Sequence, residues 1–339
     1  MKTLFILLFI LLIGCKQGDH APDVKKTSPQ LHDQYFLTED GVRLPLHSWL
    51  PKARTTRAVI VGVHGFNDYS YFFRQPAEYF STQGIASFAY DQRGFGAAPQ
   101  RGLWAGRETY ATDLLSFIRL VKQRYPDLPI YLLGESMGGA VVIAATRDAR
   151  MPPVDGIILA APAVWPREIM PWYQTSLLWV LARTAPWLTF SGQGVKVKLS
   201  DNREMIRELD SDPLVLRKTR VDALYGLTNL MDSAFDNASL LRGNILLLYG
   251  DRDDIIPKEA IYAFLQRFFA SGTDGKTVGF YPQGYHLLLR DLQAATLWQD
   301  ITAWITARGS VKLPSGADDR AKKQLLMPLL AWQQEKNNK

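Results

Sequence analysis

The hexapeptide Gly134-Glu135-Ser136-Met137-Gly138-Gly139 is where residue types and spacing point most directly to chemistry. It follows the apolar run at residues 130–133 and precedes a small, apolar, helix-forming segment at residues 140–146. A buried strand therefore enters a helix with almost no loop between them. Only a sharp turn allows this, and it strains the backbone at Ser136 while leaving its hydroxyl exposed. Glycines two residues before and after the serine remove the β-carbons that would collide in such a turn. A serine presented this way is a candidate nucleophile, but it needs a base to take its proton and a third group to orient that base.

The base is found by elimination and position. The five histidines are His20, His32, His47, His64 and His286, and only His286 lies downstream of Ser136. It sits in a loop between a strand expected around residues 278–281 and a helix expected over residues 291–308. The acid is expected in the loop that follows the apolar run at residues 243–249. Three aspartates compete there: Asp251, Asp253 and Asp254.

The elements that must position these groups alternate between strand and helix. Two strands, residues 34–37 and 42–49, flank the turn residues Thr38-Glu39-Asp40-Gly41. The β-branched run at residues 58–63 reads as a central parallel strand and ends at His64-Gly65-Phe66-Asn67-Asp68. A helix over residues 71–83, a strand at 85–90, an amphipathic helix at 108–124 and a strand from 154 follow. Between residues 163 and 242 the alternation stops. About 80 residues without a strong strand are too many for a simple loop, so a helical cap is expected, with helices near 173–183 and 214–231. Its aromatics, among them Trp165, Trp172, Tyr173, Trp179, Trp187 and Phe190, are expected mostly to pack the cap's own core. An apolar roof would favour acyl chains over sugars or charged peptides.

The amino terminus reads differently. Met1-Lys2 and an apolar run of about ten residues suit a signal peptide better than a span of about 20 residues. Leu12-Ile13-Gly14-Cys15 resembles a bacterial lipobox, which implies cleavage before Cys15 and lipidation of that cysteine. Lys16 in the next position favours the outer membrane by the rule known in enteric bacteria. The expected organisation is a signal peptide at 1–14, a polar tether at 15–33, a catalytic core at 34–162 and 243–308, the cap at 163–242, and a tail at 309–339 packed on the body, with peripheral membrane contact as the alternative for the tail.

The 339 residues include 47% hydrophobic and 21% charged residues, with a net charge of +6, as in an ordinary folded chain. The basic residues are scattered, which argues against a nucleic-acid partner. The single cysteine excludes intramolecular disulfides and thiolate metal sites, and no histidine pair has the spacing of a helical metal site, so no metal or other cofactor is expected.

Val63-His64-Gly65-Phe66, Asp91-Gln92-Arg93-Gly94-Phe95-Gly96, the 134–139 hexapeptide, residues 250–257 and Tyr285-His286 occur in one order. In that order they resemble the monoacylglycerol lipase and lysophospholipase group of the α/β-hydrolase superfamily, over roughly residues 34–308. The resemblance implies an α/β fold: a mostly parallel sheet flanked by helices, with an inserted cap. It implies a Ser136, Asp253, His286 triad, Asp253 standing three residues past Gly250 in the superfamily's Gly-x-x-Asp-x-x-x-Pro pattern. It places the oxyanion on the N–H groups of Phe66 and Met137, makes His64 a scaffold residue and gives the 91–96 loop a structural role. Phe66 is bulkier than the small residue often found there. The implied reaction is cofactor-free hydrolysis of a small-molecule lipid or other ester, with a membrane reached through lipidated Cys15. Epoxide hydrolases and dehalogenases of the fold use an aspartate where Ser136 stands. A serine aminopeptidase, an acyltransferase and a non-catalytic lipoprotein scaffold remain the alternatives.

Overall fold

The computed structural model describes residues 27–191 and 197–327. The apolar amino-terminal run, Cys15 and the last twelve residues lie outside the described residues. The sheet begins with three antiparallel strands: β1 (Gln30–Leu31), β2 (Tyr35–Leu37) and β3 (Arg43–Trp49). Thr38 closes the turn: its N donates to Val42 O (3.0 Å) and its Oγ1 accepts from Val42 N (3.0 Å), and Gly41 takes φ 79° there. The tether expected to reach residue 33 therefore ends earlier. Gln30 and Leu31 pair with Leu37 and Phe36 at the sheet edge.

The next strands are parallel. β4 (Ala58–Val63), β5 (Ile85–Tyr90), β6 (Ile130–Glu135) and β7 (Gly156–Ala160) are buried along their whole length. α1 (Arg74–Thr82), α2 (Arg107–Arg124) and α3 (Met137–Ala145) form the crossovers between them. A 3₁₀ turn at Ser70–Phe73 forms the first part of the helix expected from residue 71.

The segment before the sheet resumes holds α4 (Trp172–Thr184), β8 (Thr189–Ser191), α5 (Arg203–Ser211), β9 (Lys218–Arg220) and α6 (Val221–Asp236). It is not purely helical, because β8 and β9 pair as a short antiparallel ribbon. α6 starts seven residues later than expected. The preceding residues bind elsewhere: Leu216 N donates to Asn67 O (2.9 Å) and Thr219 lies in β9. Expectation also fails for the cap aromatics. No residue of α4 is buried, and Trp172, Tyr173, Trp179, Trp187 and Phe190 are exposed.

β10 (Ile245–Gly250), α7 (Lys258–Phe269), β11 (Lys276–Tyr281) and α8 (Ala294–Thr306) complete the core. The sheet order is β1-β2-β3-β5-β4-β6-β7-β10-β11, with β5, β4, β6, β7, β10 and β11 parallel. Alternation along the strands feeds two cores. Val59, Val61 and Leu132 pack with α2, α3 and α7, whereas Ile60, Leu133 and Leu248 pack with α1 and α8. Each such leucine, valine or isoleucine contributes about 1.5–3 kcal/mol on burial. The tail continues the body. Leu313, Ala317, Ala321 and Leu325 are buried through α9 (Ala317–Ala321) and the π turn after it, and Asp300 anchors Ser315 N (2.9 Å). Among the described residues, no helix is long and apolar enough to cross a membrane.

Candidate active site

All the chemistry-bearing loops leave the carboxyl ends of parallel strands, where α/β sheets open a crevice. Ser136 lies between the last residue of β6 and the first of α3, with φ 53° and ψ −118°. A left-handed φ is costly for a non-glycine residue and persists only when its surroundings enforce it. Ser136 N donates to Ala160 O (3.0 Å), and Ser136 O accepts from Ala163 N (2.9 Å). A β-carbon at Gly138 would stand 2.0 Å from Val63 O, and one at Gly134 2.5 Å from Gly139 N. The tight turn requires both glycines. Its result is a half-buried serine among fully buried neighbours.

His286, buried in the loop after β11, places Nε2 2.9 Å from Ser136 Oγ. Its Nδ1 lies 2.8 Å from Asp253 Oδ2. The carboxylate can only accept, so Nδ1–H donates to it and Nε2 is left free to accept the serine proton. Asp253 Oδ1 is held by Ile255 N (2.8 Å) and Ile256 N (2.9 Å). Burial alone would push the His286 pKa down. The Asp253 carboxylate, with a smaller contribution from Glu135, overrides this and holds it above the ordinary histidine value. The neighbouring aspartates point elsewhere: Asp251 pairs with Lys258, and Asp254 Oδ2 accepts from Lys198 N (3.1 Å). Gly250 brings the two loops together, since a β-carbon there would meet Gly284 O at 2.4 Å.

On the other side of Ser136, a β-carbon at Gly65 would stand 3.4 Å from the serine's own Cβ, so the Gly65–Phe66 backbone runs beside the hydroxyl. Among the described residues, neither Phe66 N–H nor Met137 N–H has a hydrogen-bond acceptor. Two free amides flanking a nucleophile, one at the positive end of α3, suit a developing oxyanion. His64 braces this loop. Its Nδ1 donates to Gly65 O (2.8 Å) and its Nε2 accepts from Gln92 N (2.9 Å). An Nε2 that accepts a backbone N–H carries no proton, so the ring is neutral, and burial, only partly offset by the Gly65 carbonyl, depresses its pKa in the same sense. Asp91 in turn accepts from Ser70 N (3.0 Å) and Ala97 N (2.9 Å), and Arg93 bridges Asp40 and Asp113.

Sequence reasoning gave no role to Arg290, Asp68 or Glu135. All three are buried, and Arg290 Nη2 meets Asp68 Oδ2 at 2.6 Å and Glu135 Oε2 at 3.1 Å. The available signal was Glu135 itself, a charge at the end of an otherwise apolar buried strand, which demands a partner. Cys15 lies outside the described residues. Among the described residues, no group of three or more His, Cys, Asp and Glu side chains is arranged to hold a metal ion.

The family described as Hydrolase_4, serine aminopeptidase S33, matches residues 54–293. The chain belongs to this family. This hydrolase is similar to the monoacylglycerol lipase of Mycolicibacterium smegmatis, with 26% identity over 80% of this chain and 96% of that protein. It is similar to the monoglyceride lipase of Rattus norvegicus at 27% identity, covering 82% of this chain and 91% of the relative. Its fold matches a monoglyceride lipase structure from Saccharomyces cerevisiae with a TM-score of 0.69, at 18% identity over 86% of this chain and 99% of that one. It is a carboxylic ester hydrolase of the serine-esterase type.

The hydrolase carries its cap directly on the loops that hold the site. Asn67 Nδ2 donates to Thr219 Oγ1 (2.7 Å), and Tyr69 OH to Asp212 Oδ2 (2.7 Å). Leu287 N donates to Leu199 O (3.0 Å) and Asn202 Nδ2 to Arg290 O (3.1 Å). Phe66 turns its bulk into an aromatic group, edge-on to Phe95 (5.6 Å between centroids) and near Trp104 (6.3 Å). Gly226 of α6 leaves room for Trp104, whose Nε1 would lie 2.3 Å from a β-carbon there.

Proposed function

We propose that this hydrolase cleaves the ester of a single-chain lipid, a monoacylglycerol or a lysophospholipid. We further propose that lipidation of Cys15 holds it at a bacterial envelope membrane, on the periplasmic side of the outer membrane. The observation that carries the catalytic reading is the unbroken path Ser136 Oγ, His286 Nε2, His286 Nδ1, Asp253 Oδ2, with steps of 2.9 and 2.8 Å. The acyl-chain reading is supported by the aromatic surroundings of Phe66, by the exposed apolar side chains of the cap, and by relatives named as monoacylglycerol and monoglyceride lipases. The anchor is supported by the sequence around Cys15.

In this mechanism Ser136 Oγ attacks the ester carbonyl as its proton passes to His286 Nε2. The carbonyl oxygen takes the negative charge between Phe66 N–H and Met137 N–H. Asp253 holds Nδ1–H and stabilises the imidazolium without taking its proton. His286 then gives the proton to the departing alcohol, leaving an acyl-serine. The same nitrogen deprotonates a water that attacks the acyl carbon, and the proton returns to Ser136 as the fatty acid leaves.

A second reading, amide cleavage, rests on the description of the matched family as serine aminopeptidases. Turnover of monoacylglycerols, lysophospholipids, p-nitrophenyl esters of increasing chain length and aminoacyl anilides separates the two. Faster turnover of medium- and long-chain esters than of acetate, with inert anilides, is the expected result. Anilide turnover exceeding every ester would overturn it. For the anchor, Cys15→Ser is expected to move the protein from the membrane to the soluble fraction. Continued sedimentation with membranes would contradict the lipid attachment.

A further inference from the structure

We propose that Arg290 is a positioning residue for ester hydrolysis, tying together the three loops that carry the nucleophile, the oxyanion site and the histidine. This rests on the triad assigned above and deepens it. The geometry is specific. Arg290 lies in a 3₁₀ turn (Leu288–Arg290), four residues after His286. Its Nη2 reaches Glu135 Oε2 (3.1 Å), in the residue just before Ser136. The same nitrogen reaches Asp68 Oδ2 (2.6 Å), two residues past Phe66. One guanidinium nitrogen thus bridges the elbow and the oxyanion loop from the histidine loop. Asp68 is fixed in turn by accepting from Tyr69 N (2.9 Å), and Phe72 packs under the guanidinium at 5.9 Å.

General stability is a poor reason for this arrangement. Desolvating three charges offsets most of their attraction, and buried ion pairs are often no better than apolar packing. Holding loops in a fixed relation is a better one, because displacement of a reacting group by about 1 Å can cost about 100-fold in rate. The network also faces the base electrostatically. Around His286 stand Asp253 from the β10 loop, Glu135 from β6 and Arg290 from its own loop, with Asp68 behind Arg290. Glu135 favours the imidazolium and Arg290 opposes it, both more weakly than Asp253.

The test is turnover per active site. Fluorophosphonate titration counts competent serines, so misfolded enzyme drops out of the rate. Arg290→Gln is expected to lower kcat per titrated site about 100-fold on a soluble ester, with KM little changed. Arg290→Lys is expected to recover part of the loss, since an ammonium keeps the charge and the donors but lacks the planar, fixed guanidinium geometry that places one nitrogen between both carboxylates. If Arg290→Gln does not fold, the triple variant Asp68→Asn/Glu135→Gln/Arg290→Gln removes both carboxylates that would be left unpaired and is expected to show the same per-site loss. Glu135→Gln alone is expected to move the acid limb of kcat/KM to lower pH, because an anion facing His286 is gone. Full turnover per titrated site in the folded Arg290 variants, or an unmoved acid limb, would overturn the proposal. Failure of the wild-type enzyme to react with fluorophosphonate would sink the triad reading instead.

Discussion

Asp253 and His286 are joined by a 2.8 Å hydrogen bond, and the other Asp253 oxygen is clamped by the backbone N–H groups of Ile255 and Ile256. The acid cannot rotate away without losing two hydrogen bonds. This fixes which nitrogen of His286 faces Ser136, and it singles out one aspartate from a loop that holds three.

Asp253→Asn is therefore expected to lower kcat about 10⁴-fold, because an amide can donate and supports the wrong histidine tautomer. Asp251→Asn and Asp254→Asn, which lose contacts only to Lys258 and to Lys198 N, are expected to keep near-normal kcat. Steady-state kinetics on a soluble ester checks all three.

Activity and the His286 contribution to stability are expected to run in opposite directions with pH. Asp253 raises the His286 pKa above 6.5 in the folded state. The resulting stabilisation is fully present below that ordinary value and fades as pH rises through the raised one. The reaction needs the neutral ring, so kcat/KM rises through the same window. His64, with its pKa lowered by burial, acts the other way: its contribution holds above 6.5 and is lost as pH falls through the lowered value. Denaturant unfolding of wild type and His286→Gln across pH, beside a kcat/KM profile, measures both. An activity midpoint below the ordinary histidine value would contradict the assignment.

Gly138→Ala is expected to prevent correct folding of the elbow, since its methyl would overlap Val63 O at 2.0 Å, where backbone must move. A loss of 4 kcal/mol or more, on the order of the largest single-residue effects, is expected in unfolding experiments. Gly65→Ala, whose methyl would stand 3.4 Å from Ser136 Cβ and 3.9 Å from its Oγ, ordinary van der Waals contact, is expected to fold with stability little changed.

Much of this was legible in the sequence because the signals are local. The elbow needs glycines at fixed offsets, and each loop residue follows a recognisable apolar strand. The β10 loop was harder, since three aspartates satisfy the same turn chemistry and only the superfamily pattern favoured Asp253. Two features were not legible. Arg290 meets partners 155 and 222 residues away, and a single arginine after a histidine loop reads as surface. The cap aromatics read as a core because aromatics are usually buried. Nothing in their spacing shows that α4 rests on α6 while its outer face stays open.

That open face gives a further prediction. Trp172 is 77% exposed and Leu177 59%, so replacing both with serine is expected to change stability by less than about 0.5 kcal/mol. The same variant is expected to keep its rate on a soluble short-chain ester and to lose rate on micellar monoacylglycerol. Parallel loss on both substrates would show that the cap face acts on folding rather than on lipid access.

The central claim is that Ser136 is the nucleophile, and turnover of a monoacylglycerol by purified Ser136→Ala tests it most directly. The account predicts a fall of about a millionfold in kcat with the fold intact. Retention of most of the wild-type activity by that variant would contradict it.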